Sequence, residues 1–194
     1  PQGPAVDSGP APAVPAVVIG PDGQRATFEG KDVTIRHADG TTVHLGGHTS
    51  GIASVAFSTD GTRVVTASWD HDARVWDART GAPVQLLRGH FGPVSDARFS
   101  PDGRWVVTAG PITAGLWSVS SGRLIYYLKG DEGKLLTVAF SPDGQQIATG
   151  WKDGSVGVWR CTICGGIDEL TALAGARIEG TGRVATAEER LRYG

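Results

Sequence analysis

The sequence predicts an all-β protein assembled from a repeated four-stranded unit, and three observations carry that prediction. A turn tetrapeptide recurs at Gly20–Gly23 (GPDG), Ser58–Gly61 (STDG), Ser100–Gly103 (SPDG) and Ser141–Gly144 (SPDG), at spacings of 38, 42 and 41 residues. Short apolar runs surround each turn, in a chain whose 29 glycines and 11 prolines favour short strands over long helices. Two Trp-Asp pairs, Trp69-Asp70 and Trp76-Asp77, fall within ten residues of one repeat.

The elements follow in order. An alternating run precedes each of the last three turns: IASVAF (Ile52–Phe57), VSDARF (Val94–Phe99) and LLTVAF (Leu135–Phe140). In the turn, Pro fixes φ at the second position and Gly tolerates a positive φ at the fourth. A second run follows, RVVTAS, RWVVTAG or QQIATG. A third ends in Trp, as ARVW, AGLW and VGVW. A fourth follows a Gly-containing turn, as APVQLLRGH and RLIYYLKG. Four short strands per unit of about 40 residues match the blade of a β-propeller. The units are drawn at residues 16–46, 47–88, 89–130 and 131–160.

These residues resemble the WD-repeat family. Gly47-His48, Gly89-His90 and Trp76-Asp77 carry the resemblance, with an Asp six positions before the Trp at Asp70 and Asp153. It covers residues 16–160, and the tail CTICGGIDEL…TAEERLRY, from Cys161 to Tyr193, looks like the C-terminal end of bacterial multidomain WD-repeat proteins. It implies a buried hydrogen-bonded set of His, Ser/Thr, Asp and Trp in each blade. Carried over, the complete set is His48, Thr66, Asp70 and Trp76. The third unit offers His90, Thr108 and Trp117 but no Asp, so His90 is expected to bond to backbone or water. The fourth offers Thr149, Asp153 and Trp159, with Gly130-Asp131 in place of Gly-His. In the first, Arg36 stands where the Trp is expected. The physical logic is that a buried carboxylate needs donors and a buried indole N–H needs an acceptor. His71 and Asp72, beside the turn, are expected to be solvated.

The resemblance implies a non-catalytic module that binds a protein or peptide through the loops before the first strand and between the second and third. Those loops carry Trp69, Phe91, Lys134, Trp151 and Lys152. Blade-to-blade packing is the competing reading for Trp151. The alternative function is an autoregulatory sensor that holds an upstream kinase, STAND-type ATPase or protease inactive. No nucleotide-binding loop, nucleophile elbow or H-E-x-x-H occurs. No cofactor or metal is expected. The net charge of −2 argues against an electrostatic hold on nucleic acid or membrane. A cytoplasmic location follows as an expectation.

The ends are read as follows. Residues 1–15 form a Pro-rich linker, and the absence of Met marks the chain as processed or excerpted. Residues 161–194 are expected to be a helical tail, with an amphipathic run at Ile167–Ile178 and a capping box at Thr186–Glu189. Cys161 and Cys164 supply half a zinc site, so an ordinary thiol pair is expected ahead of a metal, redox or disulfide role. Four units are fewer than a propeller of this family needs, and the last lacks a recognisable fourth strand. The remaining blades are expected from upstream sequence or another chain, with a homodimer as the alternative.

Overall fold

The computed structural model describes residues 16–129, 133–161 and 163–164. The linker at 1–15 and the helices expected at 167–178 and 186–189 lie outside them. The described residues form four antiparallel sheets, each a meander of consecutive strands. Sheet one holds β1 (Ala16–Ile19), β2 (Arg25–Glu29), β3 (Asp32–Arg36) and β4 (Thr42–Leu45). Sheet two holds β5 (Ile52–Phe57), β6 (Arg63–Ser68), β7 (Asp72–Asp77) and β8 (Pro83–Arg88). Sheet three holds β9 (Asp96–Phe99), β10 (Trp105–Ala109), β11 (Thr113–Ser118) and β12 (Leu124–Lys129). Sheet four holds β13 (Leu135–Phe140), β14 (Gln146–Trp151) and β15 (Val156–Arg160), three strands among the described residues.

The recurrent turns join the first strand of each sheet to the second. Their closing glycines sit at φ of 68° to 73°, where a Cβ would be strained. In the later three, the Ser hydroxyl donates to the Asp two residues on, as Ser58 does to Asp60 at 2.6 Å. The first turn is one residue shorter. Its closing bond runs from Gly20 N–H to Gln24 C=O, whereas Ser58 N–H donates to Arg63 C=O. This offset pairs Arg25 with Arg36 where Val64 pairs with Trp76, so Arg36 does occupy the Trp position.

Three cores lie between successive sheets rather than within any one. Trp76, fully buried, packs with Ile35, Leu45, Ile52 and Val64 between sheets one and two. Trp117 packs with Val65, Val75, Leu87 and Val106 between sheets two and three. Trp159 packs with Leu116, Leu128 and Ile147 between sheets three and four. The pleat explains this: alternate residues of each middle strand feed the core ahead and the core behind. A sheet buried on both faces has few places for polar side chains, and reads as near-continuous apolar sequence.

Backbone hydrogen bonds tie the sheets together at one end. Ile52 N–H donates to Gly30 C=O at 2.6 Å, Val94 N–H to Ser68 C=O at 3.0 Å and Leu135 N–H to Pro111 C=O at 3.1 Å. The residue leading into each inner strand thus holds the loop of the sheet before it. That end also carries the loops expected to meet a partner.

Candidate partner-binding face

Behind this end lies the buried polar set. Trp76 Nε1–H donates to Thr66 Oγ1 at 2.9 Å. Thr66 Oγ1 lies 2.7 Å from His48 Nε2, and His48 Nδ1 lies 2.8 Å from Asp70 Oδ2. Burial pushes the His48 imidazole below its ordinary range despite Asp70, so it is neutral at pH 7. Burial works against ionisation of Asp70, but Thr49 N–H, His48 and Asp72 N–H hold its carboxyl below the usual range. The proton order is therefore Trp N–H to Thr, Thr O–H to His, and His Nδ1–H to carboxylate. Every donor in the chain meets an acceptor. The set braces the loop at Gly47–Thr49 against the turn at Trp69–His71.

The other sheets keep parts of the set. His90 Nε2 lies 2.6 Å from Thr108 Oγ1, which also accepts Trp117 Nε1–H at 2.7 Å. Of the two partners expected for His90, backbone or water, the backbone supplies none among the described residues: Nδ1 is buried and meets no protein acceptor or donor there. The shortened turn supplies no carboxylate there, and burial pushes the ring down to about 4. In sheet four, Trp159 Nε1–H donates to Thr149 Oγ1 at 3.2 Å. Asp153 is corrected: it is exposed, and among the described residues it accepts from Ser155 N–H and Oγ, within its own turn. Residues 130–131, which stand in place of Gly-His, lie outside the described residues.

Two further expectations change. Asp72 is buried rather than solvated, because Arg88 across the strand pair binds both its carboxylate oxygens, the Nη2–Oδ2 distance being 3.0 Å. His71 is exposed at φ 76°, in the left-handed region. Cys161 and Cys164 are joined in a disulfide rather than standing as a thiol pair. Both are buried against Trp105, Tyr126, Phe140 and Trp159.

Sequence reasoning also passed over Asp96. Its carboxylate accepts from Ser54 Oγ of sheet two and Thr137 Oγ1 of sheet four, both at 2.7 Å, and lies 3.1 Å from Arg98 Nη2. One buried side chain thus joins three sheets. The available signal was that Ser54, Asp96 and Thr137 are all polar at one position of the inner strands.

The candidate face itself is open. Phe91 is 96% exposed and Trp69 59%, and Lys134 and Lys152 are exposed. Trp151 is corrected: only 7% exposed, it fills the core between sheets three and four and offers no surface. Trp69 and Lys134 come together with Pro93, Pro111, Ile112 and Leu135 around a cleft of about 480 Å³. Phe91 and Lys152 do not line it. Ile112, 61% exposed, was not foreseen; its signal was an apolar residue in a three-residue turn. A larger hollow of about 750 Å³ lies at the opposite end, beside Asp22, Asp39, Asp60 and Asp77. Asp39, Asp60 and Asp77 are held below the usual carboxylate range chiefly by side-chain donors of their own turns. Their lone pairs are engaged locally, so the apolar cleft is the better ligand surface. Among the described residues, no group of three or more His, Cys, Asp and Glu could hold a metal ion.

Four-stranded meanders packed face to face, braced by a Trp–Thr–His–Asp chain, define a propeller-type repeat protein. The WD domain, G-beta repeat family matches residues 40–77, 81–118 and 122–160, more than half of the chain, and the chain belongs to that family. Each matched segment begins near the outer strand of one sheet and ends at the third strand of the next, so every repeat spans two sheets. An uncharacterised WD repeat-containing protein of Synechocystis is 36% identical over 96 residues, 47% of this chain and 28% of that protein. Ribosome assembly protein 4 of Saccharomyces cerevisiae is 36% identical over 85 residues, 43% of this chain and 16% of that protein. Nuclear distribution protein PAC1 of Arthroderma otae is 36% identical over 72 residues, 33% of this chain and 16% of that protein. The chain thus spans less than a third of the length of each of these relatives. WD repeats are protein-interaction scaffolds and are generally non-catalytic.

Proposed function

We propose that the chain is part of a WD-repeat propeller that serves as the interaction module of a larger bacterial signalling or defence protein in the cytoplasm. The cleft between Trp69 and Ile112 carries this reading. Apolar side chains exposed on a rigid scaffold, beside a lysine, offer a partner an anchor site and an orienting charge. The partner is a protein or peptide with an apolar side chain for the cleft. The remaining blades come from upstream sequence, with a second copy of the chain as the alternative. Val156 and Val158 support this, being 70% and 64% exposed on a sheet face whose counterparts elsewhere are buried.

The test is alanine substitution of Trp69, Phe91 and Ile112, with Asp102 and Asp143 of the opposite end as controls, against the partner recovered by cross-linking. Loss of about 2 kcal/mol or more of binding at Trp69 is expected, as for an anchor residue. A footprint confined to Asp102 and Asp143 would exclude this face.

A further inference from the structure

The residue after the Trp of the third strand organises the turn that follows, and sheets two and three do this differently. In sheet two it is Asp77. Its Oδ1 accepts from Arg79 N–H at 3.1 Å, from Thr80 N–H at 2.8 Å and from Thr80 Oγ1 at 2.8 Å. In sheet three the residue is Ser118. The backbone of the two turns is alike. Gly81 and Gly122 sit at φ 72° and 67°, and their N–H groups donate to Asp77 C=O at 2.9 Å and Ser118 C=O at 2.8 Å. The carboxylate is what differs. Ser118 Oγ lies 3.0 Å from Ser120 Oγ. The N–H groups of Ser120 and Ser121, counterparts of those that meet Asp77, have no acceptor among the described residues.

This turn borders a hollow of about 400 Å³ at the junction of sheets two and three. Ser118, Ser120 and Arg104 line it from sheet three, and Arg63 lines it from sheet two. Gln85 of sheet two donates from Nε2 to Ser120 C=O at 3.1 Å, which holds the turn at the junction. Arg63 is half-buried and Arg104 exposed, and neither enters an ion pair among the described residues. Asp60 and Asp102 also line the hollow. Each has its Oδ1 drawn into its own turn, Asp60 by Ser58 Oγ and Thr62 N–H, Asp102 by Ser100 Oγ and Arg104 N–H. They offset the two guanidinium charges, so the hollow keeps an excess of N–H and O–H donors rather than an excess of charge. The equivalent hollow between sheets one and two has Asp77 in the place of Ser118, and there the carboxylate already meets the turn donors.

We propose that the hollow between sheets two and three is an oxyanion site for a phosphate group. One phosphate oxygen stands where Asp77 Oδ1 stands in sheet two, and accepts from Ser120 N–H and Ser121 N–H. Ser118 Oγ–H turns to the anion, and the guanidinium groups of Arg63 and Arg104 meet its remaining oxygens from the two sheets. Backbone N–H groups of a turn that face one way form a concavity suited to an anion. Hydrogen bonds to an ionised acceptor are roughly twice as strong as neutral ones, and the arginine fork matches paired phosphate oxygens. A carboxylate has two oxygens, whereas a phosphate has enough to serve the backbone and both arginines at once. Bound phosphate ties sheet two to sheet three and so stabilises their junction. The site lies at the end opposite the cleft of Trp69 and Ile112 and stands independently of it.

Amide NMR of the full chain tests this. Inorganic phosphate is titrated at constant ionic strength made up with chloride, and the amides of β5 and β14 report that the fold is intact. Wild type is expected to show saturable shifts at Ser120 and Ser121, half-complete at millimolar phosphate. R63Q/R104Q should weaken the apparent affinity by about tenfold or more. S118D rebuilds the turn of sheet two, so the amides of Ser120 and Ser121 should start shifted and stay unmoved by phosphate. O-phosphoserine in place of inorganic phosphate separates the sources. A response at lower concentration marks a phosphate monoester as the ligand, and an equal or weaker one marks the free ion. Absence of saturable shifts at Ser120 and Ser121 overturns the proposal. So does an undiminished response in R63Q/R104Q or in S118D, and either variant suffices if the other does not fold.

Discussion

Thr66 is the hinge of the polar set, since one hydroxyl serves both Trp76 and His48. Thr66→Val keeps the shape and orphans two buried groups, at about 1–3 kcal/mol each. Trp76→Ala is expected to cost about 3–5 kcal/mol, since Trp76 fills the core between two sheets. His71→Gly should instead stabilise by up to about 1 kcal/mol, because His71 sits at φ 76°. Denaturant melts of the three variants check all of these at once. His90 supplies a pH dependence. Its folded-state pKa is about 4 against 6.5 for the free side chain, so the unfolded chain takes up the proton first. Its contribution is complete above about pH 6.5 and is lost as the pH falls toward 4, for a total of about 3 kcal/mol. His90→Gln is expected to flatten the fall of melting temperature over that interval. An unchanged slope would mean that another group titrates there.

Between elements, the first and third strands do different work. The third strand carries the Trp that fills the core to the preceding sheet. The first carries Ser54, Asp96 or Thr137, which meet where three sheets converge. Asp96→Ala would leave both hydroxyls and Val138 N–H without their acceptor. A loss of about 2–4 kcal/mol is expected, read by denaturant unfolding. Asp96→Asn should lose less, because one acceptor oxygen remains. If the two variants unfold alike, the carboxylate does not act as the bridge. The Arg88–Asp72 pair is a lesser contact, because Arg88 is largely exposed and solvent screens it.

The two outer faces of the four-sheet array are unlike. Sheet four ends on Ala139, Ala148, Val156 and Val158, the counterparts of residues that sheet two buries against a Trp-bearing neighbour. Sheet one ends on Arg25, Thr34, Arg36 and His44, with Val17 and Ile19. Joining the two head to tail would bury Arg25 and Arg36 against valines without a counter-charge, which is costly. Arg25→Val/Arg36→Trp would give sheet one the composition of the Trp-bearing faces. It is expected to raise the molar mass seen by light scattering at a given concentration. No change in mass would show that face composition does not govern assembly.

Period, turn and strand count were legible in the sequence, because each depends on residues close along the chain: the Pro-Asp-Gly turn, the alternation of IASVAF, the Trp closing the third strand. The complete His48–Thr66–Asp70–Trp76 set was legible through resemblance, and its members lie within thirty residues of one another. Asp96 was not, because its partners Ser54 and Thr137 stand some forty residues away on either side. Trp69 and Trp151 look alike in sequence, each beside the turn between second and third strands. A one-residue difference in position turns Trp69 out to solvent and Trp151 into the core, since adjacent residues of a strand face opposite ways. Local sequence therefore determined which elements form. Which side chains are buried, and which acids are free, was decided only when each sheet met the next, because the cores of this protein lie between repeats.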